Sequence, residues 1–328
     1  MTSSRKRRRP AGRLRRTLLA SLVAGAVVLP LSAATAVPDA PAPAAIGFGD
    51  GSGAGADAAA VQERYTAALA GVAGAAAMAE DAGRPERAAK LREMTAGGSA
   101  QFLAFDGHGK GRAVEVFGRL ATADRVTVLV PGSDTTLDTY QRFRAGAVAL
   151  QQRLEREHPE SAVVAWLGYD APGTVSPTVA TTGRADEAAR ELAPFLDRLP
   201  ALTAPGARLS LLCHSYGSVV CARTRTGPAV TDMVLYGSPG TGAGAAAALP
   251  TGARVWAGRG SRDWIAHVPH VRFAGIGFGT DPVDPAFGAR PFAAGAAGHS
   301  DYLKPGTRSL DSLAAIVLGT AAPEASHG

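Results

Sequence analysis

From Arg125 onward the chain repeats one pattern, a short apolar run followed by a longer helix-patterned segment. RVTVLV (Arg125–Val130) precedes a helical stretch near Leu137–Glu157, and SAVVAWLG precedes another near Arg184–Leu199. RLSLLC precedes one starting at Tyr216; DMVLYG and RVWAG follow, and a last helical pattern covers Leu310–Leu318. Strands with almost no polar alternation must be covered on both faces, and the intervening helices supply that cover. The pattern predicts an α/β fold with a mostly parallel central sheet and helices on both faces. Ahead of it, QFLAFD and RAVEVFG around GHGKG read as an antiparallel hairpin. Two Ala-rich helices divided at Gly83-Arg84-Pro85 come before that. The segment between YGSPG and RVWAG is too short for a cap domain, so no large cap is expected there.

The start of the chain has a different character. Residues 1–36 carry eight Arg or Lys and no acid, then an uncharged apolar stretch from Thr17, ending at Ala34-Thr35-Ala36. A basic region, an apolar core and an Ala-x-Ala site predict an export signal peptide cleaved near Ala36. Thr17–Pro38 is nearly long enough to span a bilayer, so an uncleaved leader would be the chain's one membrane contact. Arg15-Arg16 also permits a twin-arginine route. The leader accounts for the basic balance: the formal charge is +6, and residues beyond 36 carry about −2. A basic nucleic-acid-binding surface is therefore not expected.

These features divide the chain into a signal peptide (1–36), a flexible Pro/Ala/Gly linker (37–56), a helical N-terminal extension (57–97), an α/β catalytic domain (98–320) and a disordered tail (321–328). Gly51-Ser52-Gly53 in the linker has no strand before it, which removes it as a dinucleotide loop. An exported destination is secreted or associated with the cell envelope. The sequence specifies no oligomeric state.

The chemistry concentrates in LSLLCHSYGSVVCA (Leu209–Ala222), where a buried strand meets a helix at a serine between small residues. That is the layout of a nucleophile elbow, a sharp strand-to-helix turn that presents a serine Oγ. Gly217 matches the second glycine of G-x-S-x-G, and Cys213 stands where the first would be. The plainer reading makes Ser215 an ordinary helix cap. An elbow serine needs an acid and then a histidine later in the chain. Asp263 follows the RVWAG strand, and His299 sits on a loop before the last helix. Ser215, Asp263 and His299 are the candidate nucleophile, acid and base. Asp281 and Asp284 in GTDPVDP are alternative acids, although Asp-Pro pairs also form turns. His267 and His270 follow the acid too closely, and His214 should point away from its neighbour.

Two N–H donors are expected to face a developing oxyanion. One belongs to Tyr216, after the nucleophile. The other comes from VLVPGSDTT, where Ser133 is preferred and Gly132 comes next. Cys213 and Cys221 flank the elbow, either joined in a disulfide that braces the turn or buried as two small thiols. The chemistry requires no metal and no organic cofactor.

The motifs FLAFD, GRAVEVFG, ATADRVTVLVPGSDTTLDTY, CHSYGSVVC, GRGSRDWI, GTDPVDPAFGARPF and HSDYL together resemble the actinobacterial α/β-hydrolases once grouped as a domain of unknown function, the DUF1023 group. The resemblance covers about residues 100–320. It implies an α/β-hydrolase fold and a triad on Ser215, Asp263 and His299, and it implies no substrate. The expected function is that of a serine hydrolase acting on an ester, thioester or amide of a small-molecule or lipid-like acyl group. Alternatives are an acyltransferase using the same triad and a non-catalytic cell-envelope binding module on the same fold.

Overall fold

The computed structural model describes residues 58–271 and 276–321. The leader, the linker, residue 57 and residues 322–328 of the tail lie outside the described residues. Helices α1 (Ala58–Asp81) and α2 (Pro85–Thr95) come first, with Pro85 opening the second, where its missing N–H removes no helical hydrogen bond. Strands β1 (Gln101–Asp106) and β2 (Arg112–Gly118) form the antiparallel hairpin. After β3 (Arg125–Val130) come α3 (Tyr140–Glu155), β4 (Ser161–Leu167), α4 (Gly183–Arg198) and β5 (Arg208–His214). The chain continues through α5 (Tyr216–Cys221), β6 (Val230–Tyr236), β7 (Arg254–Gly258), β8 (Arg290–Pro291) and α6 (Arg308–Leu318).

One sheet contains all eight strands in the order β1-β2-β4-β3-β5-β6-β7-β8. β2 runs antiparallel to β1 and β4, and the pairings from β4 to β8 are parallel. Alternation along the strands sorts the core into two layers. On one face Val126, Val128, Leu211 and Leu235 meet Leu192 and Phe195 of α4 and Val219 of α5. On the other, Leu129, Leu212 and Val234 meet Leu150 of α3 and Leu313 of α6. Each such buried Val or Leu contributes about 1.5–3 kcal/mol, which fixes the helices to the sheet. Helices α1 and α2 pack against Phe102 and Phe105 of β1. Among the described residues no helix is long and apolar enough to cross a membrane.

Three details differ from the sequence reading. Residues Leu137–Thr139 form a 3₁₀ turn ahead of α3, because Thr136 and Thr139 cap each other's backbone and set a separate start. Helix α5 is short: the Thr224 hydroxyl donates to the Val220 carbonyl at 2.9 Å, and Gly227-Pro228 follows. Strand β8 has no apolar run behind it. It is two residues at the sheet edge, where Pro291 needs no N–H to donate.

Candidate active site

Ser215 joins β5 directly to α5 with φ +52° and ψ −124°. For a non-glycine residue such a conformation costs about 1–3 kcal/mol and persists only when its surroundings enforce it. The enforcement is visible. The Ser215 N–H donates to the Tyr236 carbonyl at 3.0 Å, so the residue is still tied to β6 where the helix begins. A Cβ on Gly217 would lie 2.6 Å from both the Val130 and Pro131 carbonyl oxygens. Only glycine therefore lets α5 start this close to the end of β3. Cys213, in the place of the elbow's first glycine, faces the α4–α5 layer and is disulfide-bonded to Cys221. Their Cα atoms are 6.4 Å apart.

Two loops from distant parts of the chain meet this serine. His299 Nε2 lies 3.0 Å from Ser215 Oγ, and His299 Nδ1 lies 2.8 Å from Asp263 Oδ1. Asp263 is 2 % exposed. Its Oδ1 also accepts the Ile265 N–H at 2.9 Å, and its Oδ2 accepts the Tyr302 hydroxyl at 2.6 Å. Burial pushes the Asp263 carboxyl up, but hydrogen bonds from His299, Tyr302 and the Ile265 N–H outweigh it and hold the group below the ordinary carboxylate value. Tyr302 is fixed in turn, accepting the Gly260 N–H at 3.0 Å. Burial, then the bond to Asp263, raises its phenol far above the usual range. Asp263 thus stays ionised against His299, which suits a group that orients an imidazole and stabilises its cation.

The other sequence candidates are placed elsewhere. Asp281 pairs with Arg259, and its Oδ2 lies 3.6 Å from His270 Nε2. Asp284 caps a 3₁₀ turn by accepting the Ala286 N–H at 2.8 Å. His267 is exposed at the end of the turn that Asp263 caps. Gly132 lies against Ser215, so the Gly132-Ser133 loop borders the serine from the β3 side. Tyr216 opens α5, and its N–H belongs to the first turn, where no earlier helical carbonyl can accept it.

Three further side chains surround the triad without a role expected from the sequence: His214, Tyr302 and Trp264. His214 Nε2 donates to the His299 carbonyl at 2.7 Å. Tyr302 grips the acid, and the sole hint was an aromatic residue three positions after the histidine in a polar loop. Trp264 also went unremarked; its ring centroid is 4.5 Å from that of His299. Among the described residues no three His, Cys, Asp or Glu side chains converge as metal ligands would.

A family model described as alpha/beta hydrolase matches residues 106–273, from the hairpin to beyond Asp263. The chain belongs to the alpha/beta hydrolase family. This α/β-hydrolase is 32% identical over 254 residues to the uncharacterized protein Rv2079 of Mycobacterium tuberculosis, covering 67% of this chain and 39% of that protein. It is 36% identical over 135 residues to the uncharacterized protein Mb0988c of Mycobacterium bovis, covering 38% of this chain and 50% of that one. The chain thus spans half or less of the length of these relatives. Among solved structures, esterase LipW from Mycobacterium marinum is 16% identical, with a TM-score of 0.43 and coverage of 74% of this chain and 88% of that one. XC6422 from Xanthomonas campestris, described as a serine hydrolase without lid, is 14% identical, with a TM-score of 0.41 and coverage of 68% and 94%.

Proposed function

We propose that this α/β-hydrolase is an exported serine hydrolase that cleaves a carboxylic ester through an acyl-enzyme. One observation carries the reading: Ser215, in a strained backbone conformation, has its Oγ 3.0 Å from His299 Nε2, whose other ring nitrogen is 2.8 Å from buried Asp263. In this reading Ser215 Oγ attacks the acyl carbon as its proton passes to His299 Nε2. Asp263 stabilises the resulting imidazolium. The oxyanion faces the N–H groups of Tyr216 and of the Gly132-Ser133 loop, with Ser133 the preferred donor. Collapse returns the proton from His299 to the leaving alkoxide. Water, deprotonated by the same imidazole, then releases the acid.

The surroundings favour an acyl group with an apolar part. Among the described residues the large apolar side chains standing exposed are Val175, Trp264, Val271 and Ile276. Of these, Trp264 borders the site, with its ring centroid 4.5 Å from that of His299. The basic, then apolar leader ending in Ala-x-Ala supports export to the envelope or the medium.

The test is hydrolysis of short activated esters together with labelling by a fluorophosphonate, which reacts with activated serines. The reading expects turnover and labelling in the parent and neither in Ser215→Ala. Ester turnover that survives Ser215→Ala would overturn it.

A further inference from the structure

His214 precedes the proposed nucleophile, and its ring is packed on three sides. Ring centroids lie 4.8 Å away at His299, 5.1 Å at Tyr236 and 5.8 Å at Tyr302. Its Nε2 is 2.7 Å from the His299 carbonyl oxygen. A carbonyl can only accept, so the proton of this bond sits on His214 Nε2. Gly237, at φ +57°, leaves the space: a Cβ there would lie 3.3 Å from His214 Nε2 and 3.0 Å from Asp263 Oδ2.

The loop around His299 is secured on either side. Ser261 N–H donates to the Gly295 carbonyl at 2.9 Å, Arg262 Nε to the Ala296 carbonyl at 2.8 Å, and Asp301 N–H to the Gly298 carbonyl at 3.0 Å. At the histidine itself, Asp263 holds the ring and His214 holds the backbone. The second contact has a special geometry. His214 is covalently joined to Ser215, so the bond ties the base's backbone to the serine's immediate neighbour. The Ser215–His299 gap thus has a local anchor beside those of the loop.

We propose that His214 is a positioning residue that, through its Nε2–H bond to the His299 carbonyl, sets the distance between the His299 imidazole and Ser215. Burial, then the neighbouring His299, lowers the His214 ring to about 3. It therefore remains neutral across the working range and places no second cation beside the imidazolium that forms on His299. This inference rests on the serine-hydrolase reading for its kinetic consequence and on geometry alone for the clamp.

The experiment pairs His214→Phe, which keeps a ring without a donor, with His214→Gln, whose amide N–H can reach the same carbonyl. A misplaced base slows the step it serves, so His214→Phe should lower kcat and the rate of fluorophosphonate labelling by about tenfold to a hundredfold. KM should stay within about threefold of the parent. His214→Gln should recover most of the loss. Histidine-ring ¹H–¹⁵N spectra supply a readout independent of turnover. They should show the His214 Nδ1 unprotonated at about pH 5, below an ordinary histidine value. The His299 ring signals should shift in His214→Phe and return in His214→Gln. Parental labelling by a folded His214→Phe, or unchanged His299 signals, would overturn the proposal. If the parent itself fails to label, the hydrolase reading fails, and the spectra still decide the clamp.

Discussion

Gly132 lies so close to Ser215 that a Cβ on the glycine would sit 2.6 Å from the serine Cβ and 3.2 Å from its Oγ. The neighbour it would strike is the short side chain of a residue already fixed at positive φ, which has nowhere to yield. Gly132→Ala should therefore displace the serine or the loop. Overpacking of this kind costs about 1–3 kcal/mol of stability. Fluorophosphonate labelling should fall by about a hundredfold in protein that remains folded. Labelling at the parental rate would show that the loop after β3 does not border the reacting atom.

Among the candidate carboxylates, Asp263 alone faces His299. Asp263→Asn should lower ester hydrolysis by about 10⁴-fold, since the amide no longer enforces the required imidazole tautomer. Asp281→Asn and Asp284→Asn should retain activity, because these side chains hold Arg259 and a turn. His299→Ala should resemble Ser215→Ala, at about 10⁴- to 10⁶-fold. Kinetics across the five variants check this assignment, and an inactive, folded Asp281→Asn would reverse it.

Tyr302→Phe tests how the acid is held. The phenol is one of the groups keeping Asp263 below its ordinary value. A carboxyl lowered in the folded state adds stability above its unfolded value, about 3.9, and loses it as pH falls through the folded value. Removing the phenol raises that folded value toward the unfolded one. The variant should lose about 1.5–3 kcal/mol at pH 7, the worth of a hydrogen bond to a charged group. Parent and variant share the unfolded state, so the deficit should shrink as the pH falls below about 4, through the folded Asp263 value of the variant first and then the lower one of the parent. Urea unfolding at pH 3, 5 and 7 would check this; a deficit that grows toward pH 3 would contradict the sign.

The sheet and its helical cover were legible because continuous apolar runs allow few other arrangements. Ser215, Asp263 and His299 were legible as residue types at the ends of such runs, in an order that a strand-by-strand chain can bring together. What the pattern did not contain was anything set by cross-chain contact. Strand β8 owes its existence to the edge of β7, and Tyr302 and His214 act through Gly260, Asp263 and the His299 carbonyl. Local spacing records none of these partners. The choice between Asp263 and Asp281 was likewise open in sequence, since it depends on which carboxylate meets His299 and which meets Arg259.

The Cys213–Cys221 bond closes a loop with a sequence separation of 8 around the elbow. By loop-closure entropy a bridge of this size stabilises by about 2–3 kcal/mol. The Cys213→Ala/Cys221→Ala pair should lose at least that much in urea unfolding. Denatured, unreduced parent protein should take up no alkylating reagent and weigh two hydrogens less than the dithiol. Alkylation of both thiols without reductant would mean that the bridge does not form.

The central claim is that Ser215 is an activated nucleophile with His299 as its base. The most direct measurement is peptide mapping by mass spectrometry after reaction with a fluorophosphonate. One adduct is expected in the parent, on Ser215, and none in Ser215→Ala or His299→Ala. An unlabelled parent that is folded, or an adduct that persists in His299→Ala at the parental rate, would contradict it.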